Sequence, residues 1–182
     1  MPKHKRLSDS QEVAMKSIIR LPVFFAGLLL AGTVFAAEGT AGAPAEEPVA
    51  KVVWHVDFAD PRRLSAMLQN VNNMVTTYQN KLGDYDIRLV FLAGGIRFVT
   101  QDPLKGTPFA EDPEYKKRRA ELIQRLQQLR EMHGVKLELC EITREALNLA
   151  KEKIIPGVTS VRSGVVRVAE LQHQGFAYLK IE

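Results

Sequence analysis

From residue 51 onward, the spacing of apolar positions switches repeatedly between two and three-to-four residues. Lys51-Val-Val-Trp-His-Val-Asp57 is β-branched and bounded by Pro48 and Asp60-Pro61, and predicts a first strand. Asp60 suits an N-cap and Pro61 the first helical position. Leu64, Met67, Leu68, Val71, Met74 and Val75 then mark one face of a helix that Gly83-Asp84 ends. Ile87–Ala93 is apolar apart from Arg88, as expected of a strand covered on both faces, and Gly94-Gly95 closes it. A short element around Ile96–Thr100 follows, then the proline-rich stretch Asp102–Pro113, long enough to suggest a role of its own. Glu114–Met132 predicts a long helix with Tyr115, Leu122, Ile123, Leu126 and Leu129 facing inward and Gly134 at its C-terminal cap. Val135–Cys140 reads as a strand, and Thr143 as the cap of a helix reaching Lys153. Pro156-Gly157 breaks that helix. A strand at Val158–Val161, a helix at Gly164–His173 and a last strand at Phe176–Ile181 complete the pattern. Strands alternating with helices at such short spacing imply parallel βαβ units, hence an α/β fold: a three-layer α/β/α sandwich around a parallel, mainly five-stranded sheet.

The first 50 residues carry a different pattern. Lys3, Lys5, Arg6, Lys16 and Arg20 precede the twelve apolar residues Leu21–Gly32, and Val34-Phe35-Ala36 offers a signal-peptidase site, with cleavage expected after Ala36. Met15 is an alternative start, because a complete signal follows it. The apolar stretch is shorter than the roughly 20 residues that span a bilayer. The expectation is a signal peptide over 1–36, a flexible Ala/Gly/Pro/Glu-rich linker over 37–50 and a single domain over 51–182, periplasmic or secreted and with no membrane attachment after cleavage.

Removing that leader changes the charge balance. The chain holds 25 Lys+Arg against 21 Asp+Glu; residues 1–36 hold five and two of these, leaving 20 against 19. A near-neutral domain gives no electrostatic case for nucleic acid. The one basic run, Lys116-Lys117-Arg118-Arg119, follows Glu111, Asp112 and Glu114 and reads as a solvated helix start. No G-x-G-x-x-G, Walker-type loop or serine-nucleophile elbow occurs. His55, His133 and His173 are scattered without metal-ligand spacing, so neither metal nor cofactor is expected, and His55 reads as a packed or hydrogen-bonded sheet residue.

One candidate for chemistry stands out. Cys140 is the only cysteine, so in an oxidising compartment it has no internal disulfide partner. It is either a buried packing residue or a thiol kept available for reaction. Its position at the carboxyl end of a parallel strand, where α/β folds gather ligands and reactive groups, argues for the second reading, and both readings stay open. A helix beginning at Thr143 would aid the thiolate; Glu141 would oppose it, unless Arg144 turned toward the sulfur. Gly94 and Gly95 also fall at a strand end, where they permit a tight turn or offer amides to an anion. Asn70, Asn72 and Asn73 form a polar cluster suited to solvent or to an oligomer seam.

Across residues 51–182 the chain resembles the DsrE/DsrF-like family of sulfur-relay and related proteins. The resemblance is carried, in order, by Lys51-Val-Val-Trp-His-Val, Leu68-Gln-Asn-Val-Asn-Asn73, Val90-Phe-Leu-Ala-Gly-Gly-Ile96 and Gly134-Val135 through Cys140 to Thr143. Pro156-Gly157-Val158, Ser163-Gly164-Val165 and Leu171-Gln-His-Gln-Gly-Phe-Ala-Tyr178 follow. It implies a parallel five-stranded sheet, a homo-oligomer and, in some members, a cysteine that carries sulfur as a persulfide; Cys140 occupies that position. The pattern departs at Ala93, where relatives often have histidine, and at Glu141-Ile142. The function expected is thus that of a persulfide carrier or sulfur-metabolism accessory protein, exchanging sulfur with a protein donor or acceptor. The alternative is a non-catalytic oligomeric binding module for a small ligand or protein.

Overall fold

The computed structural model describes residues 49–182. The leader and most of the linker expected from the sequence lie outside the described residues.

Five parallel strands form one sheet in the order β4-β3-β2-β1-β5, with β1 at Ala50–Val56, β2 at Tyr85–Phe91, β3 at Lys136–Cys140, β4 at Val158–Val161 and β5 at Ala177–Leu179. On one face lie α1 (Pro61–Asn80) and α2 (Pro113–His133). Alternation along the strands sends Val52, Trp54, Val56, Ile87, Leu89, Phe91, Leu137 and Leu139 into this larger core, against Leu64, Met67, Leu122 and Leu126. The opposite face carries α4 (Gly164–His173), whose Val168 and Leu171 pack on Val53, Val90 and Phe176. Sandwich and sheet are those that the sequence predicts. The helix that joins β4 to β5 must travel from one edge of the sheet to the other, which draws α4 across the middle strands.

Local chemistry sets most element ends. The Asp60 carboxylate accepts from the amides of Arg62 and Arg63 at 2.7 and 3.3 Å to start α1. Asp112 does the same for α2 through the Tyr115 amide at 2.8 Å. Gly134 ends α2 in the left-handed conformation, φ 65°, open to glycine without a Cβ clash.

Three elements differ from the sequence reading by more than a residue at an end. β2 starts at Tyr85 and ends at Phe91, because Leu92 still bonds the Val56 carbonyl but Ala93 turns to φ 45° and begins a 3₁₀ turn over Ala93–Phe98. The helix expected from Thr143 to Lys153 is instead the short α3 (Glu141–Ala146), with Cys140 itself in the N-cap position. It stops because Asn148 takes φ 49° and the Arg144 guanidinium bonds the Leu149 carbonyl at 2.6 Å, turning the chain back. Only three residues before Ile154 regain helical form, as a 3₁₀ turn at Lys151–Lys153. β5 is limited to its middle residues, Ala177–Leu179.

The excursion after residue 101 is packed. Leu104 is buried, its amide donates to Asp102 Oδ1 at 2.8 Å, and the segment delivers Asp112 to both the α2 cap and the buried Arg97 guanidinium, also at 2.8 Å. In the basic run, Arg118 bonds Ser65 and Arg119 bonds the Thr100 carbonyl, so both arginines tie α2 to its neighbours.

Candidate functional site

Cys140 ends β3 on the face covered by α4, and only 5% of it is exposed. Strand parity places its side chain on the same face as Glu138 of its own strand, and as Val90 of β2 and Val53 of β1. The first residue of α4, Gly164, lies directly over it. A Cβ added at Gly164 would stand 3.1 Å from Cys140 Cβ and 3.2 Å from Leu92 Cβ, so the close approach depends on the missing side chain.

That approach delivers backbone amides to the sulfur. Burial pushes the thiol toward a higher pKa. The amide of Gly164, the hydroxyl and amide of Thr143 and the amide of Ile142 oppose this, and the balance falls below the ordinary cysteine value. Cys140 therefore lies where the starts of two helices converge, and the arrangement stabilises a thiolate with no cationic side chain supplying the effect.

Thr143 does not cap the helix it was expected to begin. In the third position of α3, its hydroxyl oxygen accepts from the Ala93 amide at 3.1 Å, which leaves the hydroxyl proton free to point at the sulfur. One side chain thus joins the end of β2 to the thiol at the end of β3. Ala93, where relatives often carry histidine, is one of four non-glycine residues held at positive φ among the described residues.

The charge next to the sulfur is neutralised locally. Glu141 Oε1 lies 3.1 Å from Lys151 Nζ and 3.2 Å from Arg144 Nη2; these partners hold its carboxyl below the usual range. Arg144 acts on Glu141 and on the Leu149 carbonyl, and so compensates for the carboxylate without facing the thiol.

Gly94 and Gly95 serve packing. The Gly94 amide donates to the Asp57 carbonyl at 3.2 Å and the Gly95 amide to the Leu92 carbonyl at 2.9 Å, so both donors are already occupied. A Cβ on Gly95 would overlap the Val56 carbonyl oxygen, and one on Gly94 would stand 2.9 Å from the Ala59 amide nitrogen. The pair lets the chain after β2 fold tightly against the end of β1.

His55 lies on the α4 face near the end of β1, with Nδ1 2.9 Å from the Tyr178 hydroxyl and Nε2 3.9 Å from Asp57 Oδ2. Burial holds its pKa below the ordinary histidine value, against the pull of Asp57. This is the hydrogen-bonded sheet histidine that the sequence suggests. Sequence reasoning missed Gly164 as a contributor to the site. The signal was a glycine after Ser163 at the start of a helix, where a larger residue would propagate the helix better.

A parallel α/β sandwich with an amide-surrounded thiol at a strand end is the class of protein that these features define. The chain belongs to the DsrE/DsrF-like family, whose model matches residues 59–181. An uncharacterized protein from Aquifex aeolicus is 39% identical over 69 residues, which is 37% of this chain. The match spans 30% of that relative's length. Among solved structures, MTH1491 from Methanobacterium thermoautotrophicum, a protein of unknown function, is similar with a TM-score of 0.55 and 24% identity over 72% of this chain and 98% of its own. The ychN protein from E. coli gives a TM-score of 0.49 at 16% identity, over 73% of this chain and all of its own. The likeness to MTH1491 bears on the fold alone.

Proposed function

We propose that this protein is an exported sulfur carrier in which Cys140 holds a sulfane sulfur as a persulfide. The observation that carries the reading is the set of donors from Gly164, Thr143 and Ile142 around the one thiol of the chain. A persulfide donor R–S–SH would be attacked at its terminal sulfur by the Cys140 thiolate. A bond forms between Sγ and that sulfur, the donor's S–S bond breaks, and its electron pair leaves with R–S⁻. The exchange needs no external oxidant. The amides that favour the thiolate would also favour the persulfide anion, because both place negative charge on sulfur in the same confined site.

The leader pattern in residues 1–36 supports export, which would put the carrier outside the reducing cytoplasm. Assembly into a homo-oligomer is part of the same reading. Val165, Val166 and Tyr178, exposed at 60%, 53% and 40%, lie on the side of the sheet that, among the described residues, α4 covers.

Intact-mass measurement after exposure to inorganic polysulfide tests the proposal. The expected result is one retained sulfur on the wild type, removed by cyanide or dithiothreitol, and none on Cys140→Ser. A wild-type protein that takes up no sulfur, with a thiol that alkylates only after denaturation, would overturn it. The deep burial of Cys140 favours one second reading, a binding module that works without thiol chemistry; Cys140→Ser would then retain full biological activity.

A further inference from the structure

The α4 face carries a buried charge network that the sulfur-carrier reading leaves unused. Glu138, two residues before Cys140 on the same face of β3, has a side chain only 6% exposed. It accepts from Arg167 Nε at 2.6 Å and Arg167 Nη2 at 2.9 Å, a bidentate pair with α4, and from Arg88 Nη1 at 3.0 Å. Arg88 is also bound by Asp86 at 2.7 Å, which in turn pairs with Lys136, while Glu170 lies 3.8 Å from Arg167. These are the charged groups around Glu138 from the neighbouring strand and from α4.

The placement of Arg167 matters because of what else holds the start of α4. Val168 and Leu171 anchor the middle and far end of the helix in the core. The first turn has no such anchor: Val165 and Val166 face solvent. Its links to the sheet are the two-residue connection from Val161, the register partner of Cys140, the contact of Gly164 with Cys140 and Leu92, and the Arg167 fork on Glu138 one turn later. We propose that the Glu138–Arg167 ion pair is a latch that seats the N-terminus of α4 on Cys140 and so sets the nucleophilicity of the thiol. Both are positioning residues, acting on the sulfur through the Gly164 amide. The proposal rests on the reading of Cys140 as a reactive thiol, but its test requires no sulfur transfer.

A latch and a purely electrostatic network differ in sign. Glu138 lies about 7 Å along the strand from Cys140. If its charge acted directly, Glu138→Gln would lower the thiol pKa and Arg167→Met would raise it. If the pair acts by seating α4, both substitutions withdraw the Gly164 amide and both raise it. The full protein, isotope-labelled at cysteine Cβ, gives one resonance whose shift follows thiol ionisation, because the chain has a single cysteine. The expected result is a rise of about one unit for each variant, matching roughly a tenfold loss of thiolate at neutral pH. Opposite shifts, or none in either variant, would overturn the latch.

Gly164→Ala supplies a second route that leaves the ion pair intact. Its Cβ, 3.1 Å from Cys140 Cβ, lifts the helix start and should raise the thiol pKa in the same direction. If the charge variants fail to fold, an unchanged value in this variant still overturns the proposal, because the pair acts on the sulfur through the Gly164 amide. Failure of the sulfur-carrier reading would show separately, as a wild-type thiol that titrates in place yet retains no sulfur.

Discussion

Removing the hydroxyl of Thr143 tests the architecture of the thiol site most directly. Thr143→Val keeps the shape and one methyl but deletes the oxygen that accepts from the Ala93 amide at 3.1 Å and faces the sulfur of Cys140. Two separable effects follow. The half-buried Ala93 amide loses its acceptor, a destabilisation of about 1–2 kcal/mol for an unmade hydrogen bond. The thiolate loses one donor, and a hydrogen bond to an ionised group is worth roughly 1.5–3 kcal/mol before water replaces it. One pKa unit equals about 1.4 kcal/mol, so the thiol should rise by about one unit. Thr143→Ser retains the oxygen and should leave both quantities nearly unchanged. Urea unfolding measures the first effect, and the pH dependence of iodoacetamide alkylation measures the second. A Thr143→Val protein with wild-type stability and an unshifted alkylation profile would refute the reasoning.

The remaining predictions concern stability. Gly95→Ala places a Cβ on the Val56 carbonyl and should cost several kcal/mol, about 3 or more, in chemical denaturation; a loss below about 1 kcal/mol would show that the turn after β2 can yield. Asp112→Ala removes both the α2 cap and the partner of the buried Arg97, and should cost about 3 kcal/mol, against about 1 for a cap alone. Because the folded-state pKa of Cys140 is depressed, the fold binds the thiolate better than the unfolded chain does. The resulting stability is full above the unfolded thiol pKa, about 8.5, and is lost as pH falls through the folded value. The stability difference between wild type and Cys140→Ser should therefore grow in favour of the wild type from neutral to mildly alkaline pH; a pH-independent difference in paired denaturation curves would contradict it. His55 gives the same sign at lower pH: its depressed folded pKa means that protonation below about 6.5 favours the unfolded chain. His55→Gln should flatten the loss of stability between neutral pH and pH about 5, which thermal melts at stepped pH would show.

Much of the fold was legible because its determinants are local. Asp60-Pro61 starts a helix by side-chain capping and a preset φ, and Gly134 ends one by tolerating φ 65°. Alternation in Val52–Val56 and the run from Ile87 to Phe91 needed only their own side chains to mark strands. Where the reading slipped, backbone turns and side-chain bonds that hydropathy spacing does not report decided. β2 ends early because residues after it close onto the end of β1, and α3 is short because Asn148 and Arg144 turn the chain back toward Leu149. The same holds for Glu141, whose charge is disarmed by Lys151, ten residues along and beyond the helix it begins.

The sequence by itself determined the parallel α/β architecture and placed the lone cysteine at a strand end, since periodicity, capping residues and turn glycines act over a few residues at a time. Only the tertiary structure decided what surrounds the sulfur. Gly164 follows Cys140 by 24 positions and reaches it because α4 must cross the sheet from β4 to β5. Ala93 reaches Thr143 because β2 and β3 end side by side. No local pattern encodes those approaches; the strand order does, and it brings Gly164 and Thr143 to a cysteine that its strand-end position alone left open between packing residue and available thiol.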